Sequence, residues 1–159
     1  MIVLVYICLV VSIIYNTYVI CHYKKVPESL SETAYLFGGN KRFLFTAYCT
    51  ICGGLLFPSL VSITPEGFEF LPFLITLGLC FAGFSPIFKE GLEGKVHYIS
   101  AIIAFLGFIL YVINFLGMWW FIGFVVALGG LYLWKRKCVI YFAENLALSV
   151  LLLWLIFVL

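Results

Sequence analysis

The chain has 159 residues, 65% of them hydrophobic and only 10% charged, with nine Lys and Arg, seven acidic residues and a net charge of +2. A soluble domain of this size covers itself with about a quarter charged residues. The composition and the mean hydropathy of +1.21 therefore exclude an ordinary soluble enzyme and a disordered chain, and they make lipid the principal solvent.

A membrane-crossing helix needs about 20 mostly apolar residues. The first such run covers 2–21 and carries no charge. Lys24 and Lys25 follow it, and no A-x-A pattern ends it, so it is expected to be a retained first span with its N-terminus outside rather than a cleaved signal. In the loop that follows, Ser29-Leu30-Ser31-Glu32 has the form of a capping box. Leu30, Ala34 and Phe37 share one face of the implied helix, and Gly38-Gly39 can end it. This predicts a short interfacial helix. Lys24, Lys25, Lys41 and Arg42 flank it and suit anionic lipid headgroups.

The second run, 43–63, contains Gly53-Gly54 and Pro58, which mark a kink or a point of close helix contact. Thr64-Pro65-Glu66-Gly67 predicts a type I turn, and the third run covers 68–88. After the polar stretch 89–97, the chain is free of charge from residue 98 to residue 134. One straight helix of that length would overshoot a bilayer. Asn114-Phe115-Leu116-Gly117 is the best place for a reversal, which leaves spans near 98–113 and 118–134. The last run, 138–159, is interrupted only by Glu144 and Asn145. Small residues four apart, Ser100 with Ala104, Gly123 with Ala127 and Ala143 with Ala147, predict that spans four, five and six pack as a unit. Trp119, Trp120, Trp134 and Trp154 are placed at the aromatic belts of the bilayer.

The predicted fold is thus all-α: a single transmembrane domain over 1–159, a polytopic bundle of six spans. All nine basic residues fall in the first, third and fifth loops. By the positive-inside rule both termini then lie outside and the basic loops in the cytoplasm, with the protein integral to the cytoplasmic (plasma) membrane.

Glu144 is the one formally charged side chain within a predicted span. It lies seven residues past Lys137, roughly 10 Å along a helix, in the cytoplasmic half. An ionisable group there needs water, a partner or the bundle interior. It suits a proton carrier, a cation site or a general base, against the plainer alternative of a carboxylate paired near the interface. His97 opens span four on the same side as Glu144, where a carboxylate could pair with it. Together with Asn145, Ser29, Ser31 and Glu32 these residues define a candidate polar pocket. Glu90, Glu93 and Lys95 are read as lining solvated loops, and His22 has no assigned role.

Two His residues without an H-x-x-H or H-E-x-x-H pattern offer no metal or haem site, and no cofactor is implied. Cys49-Thr50-Ile51-Cys52 is a C-x-x-C inside span two, with no second copy to complete a zinc site. Cys8, Cys21, Cys49, Cys52, Cys80 and Cys138 are read as packing residues. The partners implied are membrane lipids, a small molecule or ion as substrate, and a second copy of the chain, with no nucleic acid.

Pro27-Glu28-Ser29-Leu30-Ser31-Glu32-Thr33 with Tyr35, and Glu93-Gly94-Lys95-Val96-His97-Tyr98, resemble loop segments of small six-span bacterial membrane proteins of uncharacterised function. The resemblance implies the six-span architecture and no activity. Three functions suit these residues. One is non-enzymatic transport of a small solute or proton, or binding of a ligand or lipid, with Glu144, Asn145, Asn114, Thr46, Thr76 and Ser100 as polar material. The others are an enzyme acting on lipid through Glu144 and His97, and a structural bundle that binds a partner.

Overall fold

A computed structural model describes residues 1–37, 39–87, 92–134 and 138–159. Among them are seven α-helices and no strand: α1 (Ile2–Tyr23), α2 (Glu32–Phe37), α3 (Phe43–Val61), α4 (Phe70–Phe84), α5 (Glu93–Tyr111), α6 (Met118–Trp134) and α7 (Val139–Val158). Five stretches are long and apolar enough to cross a membrane: Ile2–Tyr23, Phe43–Val61, Phe70–Ile87, Gly94–Leu116 and Val139–Val158. The sixth apolar helix, α6, is shorter, at 17 residues. Outward faces carry exposed Ile14, Phe73, Leu106, Val126 and Leu153. A contiguous apolar exterior of this kind is incompatible with water and is that of a membrane protein.

The helices form two ends. At one, the start of α5 meets the end of α4 through His97 and Ser85, and the first loop meets the start of α7. The described basic residues Lys24, Lys25, Lys41, Arg42 and Lys95 are exposed around this basic end. Lys89 and Lys135, Arg136 and Lys137 lie outside the described residues. At the other end Thr64 hydrogen-bonds Tyr111 at 3.0 Å, and Tyr111 packs edge-on against Trp154.

The reversals form near the predicted places, with different geometry. Thr64, past the end of α3, is tied back to it, since its hydroxyl donates to the Leu60 carbonyl at 2.6 Å. The turn is therefore displaced by one residue. The Phe68 amide donates to the Pro65 carbonyl at 3.2 Å, and Gly67 takes a positive φ of 88°, which glycine adopts without Cβ strain. The second reversal passes through a π-helical turn, Val112–Leu116. The Asn114 side chain donates to the Leu110 carbonyl at 2.7 Å, which is the acceptor an α-helix would offer its backbone amide. Gly117, at φ 92°, ends the turn.

Packing centres on α4, which lies between α3 and α5 and has its most extensive contact with α5. A Cβ on Gly78 would stand 2.8 Å from the Ser100 carbonyl oxygen and from the Ala104 nitrogen. A Cβ on Gly53 would stand 2.7 Å from the Cys80 sulfur, and one on Gly83 would strike Cys49. The Ser100/Ala104 pair thus serves span three rather than span five. Spans four, five and six do touch one another, through Phe105 and Phe108 against Phe124, Tyr111 against Trp154 and α6 on α7, but the Ser100/Ala104 pair is not what joins them, because it meets Gly78 of α4. Gly123, by contrast, faces open space, and α6 rests on α7 and the π-helical turn.

Trp154 lies near the end of the bundle opposite the basic one, but inside it. It is buried, because its ring is taken up by Tyr111. The side chains of Trp119, Trp120 and Trp134 lie outside the described residues.

Candidate functional site

The site begins with a helix start that lacks a side-chain cap. The first four amides of any helix have no partner within it, and Cys138, ahead of α7, makes no capping bond of its own. The first loop supplies the acceptor: the Tyr141 amide donates to the Glu28 carbonyl at 3.0 Å. Beside this, the Cys138 thiol approaches the Val26 carbonyl at 3.6 Å. One turn on, the relationship reverses, and the Leu30 amide donates to Glu144 Oε2 at 2.7 Å. The loop is therefore laid along α7 by backbone groups of both elements and by one carboxylate.

The same loop is tied to α1. Ser29 Oγ accepts the Glu32 amide at 3.1 Å, as a capping box requires. The Glu32 carboxylate reaches back to the amide of Glu28, one residue earlier than the motif predicts, since Leu30 and Ser31 form an extra turn ahead of α2. Leu30, Ala34 and Phe37 are buried together. Thr33, fully buried, bonds both the Tyr15 hydroxyl and the Leu30 carbonyl. The Tyr15 ring stacks on Tyr48 of α3 with centroids 4.2 Å apart. The Tyr141 hydroxyl donates to Asn16. These contacts hold α1, α3, α7 and the loop in register.

Behind the loop lies a cavity of about 140 Å³ between α3, α4, α5 and α7. Its polar end is formed by Ser31, His97 and Glu144, with Leu30 also in the lining. Deeper in, Leu56, Ile75, Phe108 and Leu151 line it. Glu144 and Leu151 are seven residues apart on α7, so the cavity follows the helix for about 10 Å. Among the described lining residues there is no Lys or Arg, and Glu144 makes no ion pair with a described residue. Its carboxylate has acceptor sites beyond the one used by Leu30.

His97 Nδ1 lies 3.2 Å from Ser85 Oγ. The Ser85 hydroxyl donates its proton to the Ala82 carbonyl at 2.7 Å. A hydroxyl has one proton to give, so in this arrangement Ser85 accepts from the ring and is not activated as a nucleophile. The other polar residues singled out along the spans are likewise committed to backbone carbonyls. Thr46 donates to Gly83 at 2.7 Å and Thr76 to Pro72 at 2.8 Å. Ser100 donates to Val96, and Asn114 to Leu110 as described above.

Of the six residues of the candidate pocket, Glu144, His97 and Ser31 line one cavity. Ser29 and Glu32 are engaged at the start of α2, and Asn145 donates to the Tyr141 carbonyl of its own helix at 2.9 Å rather than to a neighbouring helix. Lys24, Lys25, Lys41 and Arg42 are exposed, the last with its guanidinium 5.8 Å from the Tyr35 ring. Lys89 and Glu90, and the Glu93 side chain, lie outside the described residues. All six cysteines are free, and Cys49 lines the cavity. Ser85, Tyr15, Thr33 and Tyr141 were not singled out from sequence. Tyr141 stands three residues before Glu144, a spacing that places both on one helix face, so it was within reach. The roles of Ser85 and Thr33 depend on contacts between segments that no local pattern encodes. Comparison with known proteins finds no family model, curated protein or solved structure that matches the chain.

Proposed function

We propose that this chain is a single six-span transmembrane domain, with both termini outside, that binds a small, largely apolar ligand or lipid in the cavity behind the first loop. The observation that carries this reading is the joint lining of one cavity by Glu144, His97 and Ser31 at a polar end and by Leu56, Ile75, Phe108 and Leu151 beyond it. Ligand sites are commonly mostly apolar with a few polar groups that fix orientation. The polar end lies at the basic end of the bundle, which the positive-inside rule assigns to the cytoplasm. The one span beyond the five long apolar stretches is α6, fifth in chain order, about 25 Å long at 1.5 Å per residue and at the short limit for a crossing. Exposed Lys24, Lys25, Lys41 and Arg42 suit anionic phosphates there, consistent with the cytoplasmic membrane.

Binding accounts for the site better than the alternatives. A hydrophilic solute would need a continuous polar path, whereas Thr46, Thr76 and Ser100 are engaged by backbone carbonyls. A lipid-cleaving enzyme with a serine nucleophile would need that serine activated, and the Ser85 proton is held by Ala82. Filling the cavity tests the reading. Ala147 lines it and has a small side chain. Native mass spectrometry of the protein taken into nanodiscs from host membranes should show a bound small molecule or lipid, and Ala147→Phe should remove it. An identical bound mass in a folded Ala147→Phe variant would place the ligand elsewhere.

A further inference from the structure

We infer that the cavity selects an amphiphilic organic cation, with a protonated amine at its polar end and an apolar body along α7; this rests on the cavity being a ligand site. Three observations lead to the charge of the head. Glu144 is the carboxylate of the lining, and no described Lys or Arg accompanies it. The Leu30 amide, 2.7 Å from Oε2, uses one of its acceptor sites, and a carboxylate offers about four. His97 is drawn sideways to Ser85 at 3.2 Å and is not seen to neutralise Glu144. A carboxylate with spare acceptors in a partly dry cavity attracts an N–H donor that carries positive charge and repels an anionic head. A free fatty acid or a phosphate monoester is therefore disfavoured at this end, although the cavity would hold its tail.

The remaining walls agree with that choice. Phe45, Tyr48, Phe105 and Phe108 are among the lining residues, and aromatic side chains suit the apolar body of an organic ligand. Beyond them Leu56 and Leu151 accept only an apolar body, so a small hydrated ion would gain nothing from the depth of the site. The cavity runs about 10 Å from Glu144 to Leu151, which matches a single medium-length chain or a compact ring rather than a two-tailed lipid.

The test keeps the body of the ligand constant and changes its head. Binding of octylammonium, octanol and octanoate is measured by calorimetry on the full chain in phosphatidylcholine nanodiscs, with empty nanodiscs subtracted. Octylammonium should bind about tenfold more tightly than octanol, the scale of one charge-assisted hydrogen bond, and octanoate most weakly. Glu144→Gln retains an acceptor for Leu30 and should bring octylammonium to the level of octanol. Ala147→Phe should remove all three. Equal binding of octylammonium and octanol to the wild type, tightest binding of octanoate, or a preference that survives Glu144→Gln overturns the cation assignment while the ligand site stands. No binding above empty nanodiscs, or binding indifferent to Ala147→Phe, overturns both.

Discussion

The helices α4 and α6 are nearly interchangeable as sequences: apolar throughout, with glycines and no charge. They are used in opposite ways. α4 runs between α3 and α5, and its Gly78 and Gly83 meet backbone or Cβ atoms of those neighbours. In α6, Gly123, Gly129 and Gly130 face open space, and the helix is attached through Phe124 against Phe105 and Phe108 and through α7. Without a hydrophobic drive between helices in lipid, association depends on close packing. A glycine is therefore informative only where a second backbone comes to meet it. One half of the bundle is held by a glycine seam. The other is held by α7, which is itself fastened to the first loop by Glu144, Tyr141 and Cys138.

This contrast can be broken most forcefully at the seam. Gly78→Val places a branched side chain against backbone atoms of Ser100 and Ala104 that have nowhere to move. It should destabilise the protein by about 3 kcal/mol or more, at the top of the range for overpacking, as read by reversible denaturant unfolding in micelles. Wild-type stability in that variant would mean that α4 and α5 are not in backbone contact.

The fastening of α7 gives the next largest effect. Glu144→Ala leaves the Leu30 amide without its acceptor, a loss of about 1–3 kcal/mol for a bond to a charged group. The first loop should then be cut faster by trypsin at Lys24 and Lys25, whereas the α4–α5 seam keeps its protection. An unchanged cutting rate would show that the other loop contacts suffice without Glu144. The smallest effect belongs to α6. Gly123→Ala meets no atom within 4 Å and should change stability by no more than about 1 kcal/mol, toward greater stability, because alanine is the better helix former. A large loss there would place a packing partner on that face.

The candidate site was partly legible in the sequence for the same reason that the seam was not. Glu144 stood out because a charge inside an apolar run is costly without a partner, a rule that holds whatever the fold. His97 stood out by its position at the boundary of a polar stretch. Ser85, at the end of an apolar run, carried no such signal, since a serine there is readily accommodated. Asn145, beside Glu144, was read as able to hydrogen-bond a neighbouring helix, yet its amide turns back to Tyr141 of its own helix, a choice of rotamer that no sequence pattern marks.

The sequence by itself determined the solvent and the helical character of this protein. It also determined where the chain reverses, to within a residue or so, and which residue carries charge within an apolar run. Those follow from transfer free energies and backbone preferences, which act on each segment alone. Only the tertiary structure decided that Ser100 and Ala104 face Gly78, that Trp154 is buried on Tyr111, and that Leu30 meets Glu144 across 114 residues of chain. Those depend on which faces meet. In a chain apolar on nearly every face, periodicity does not mark the inner one, and the choice falls to the shape of the surfaces in contact.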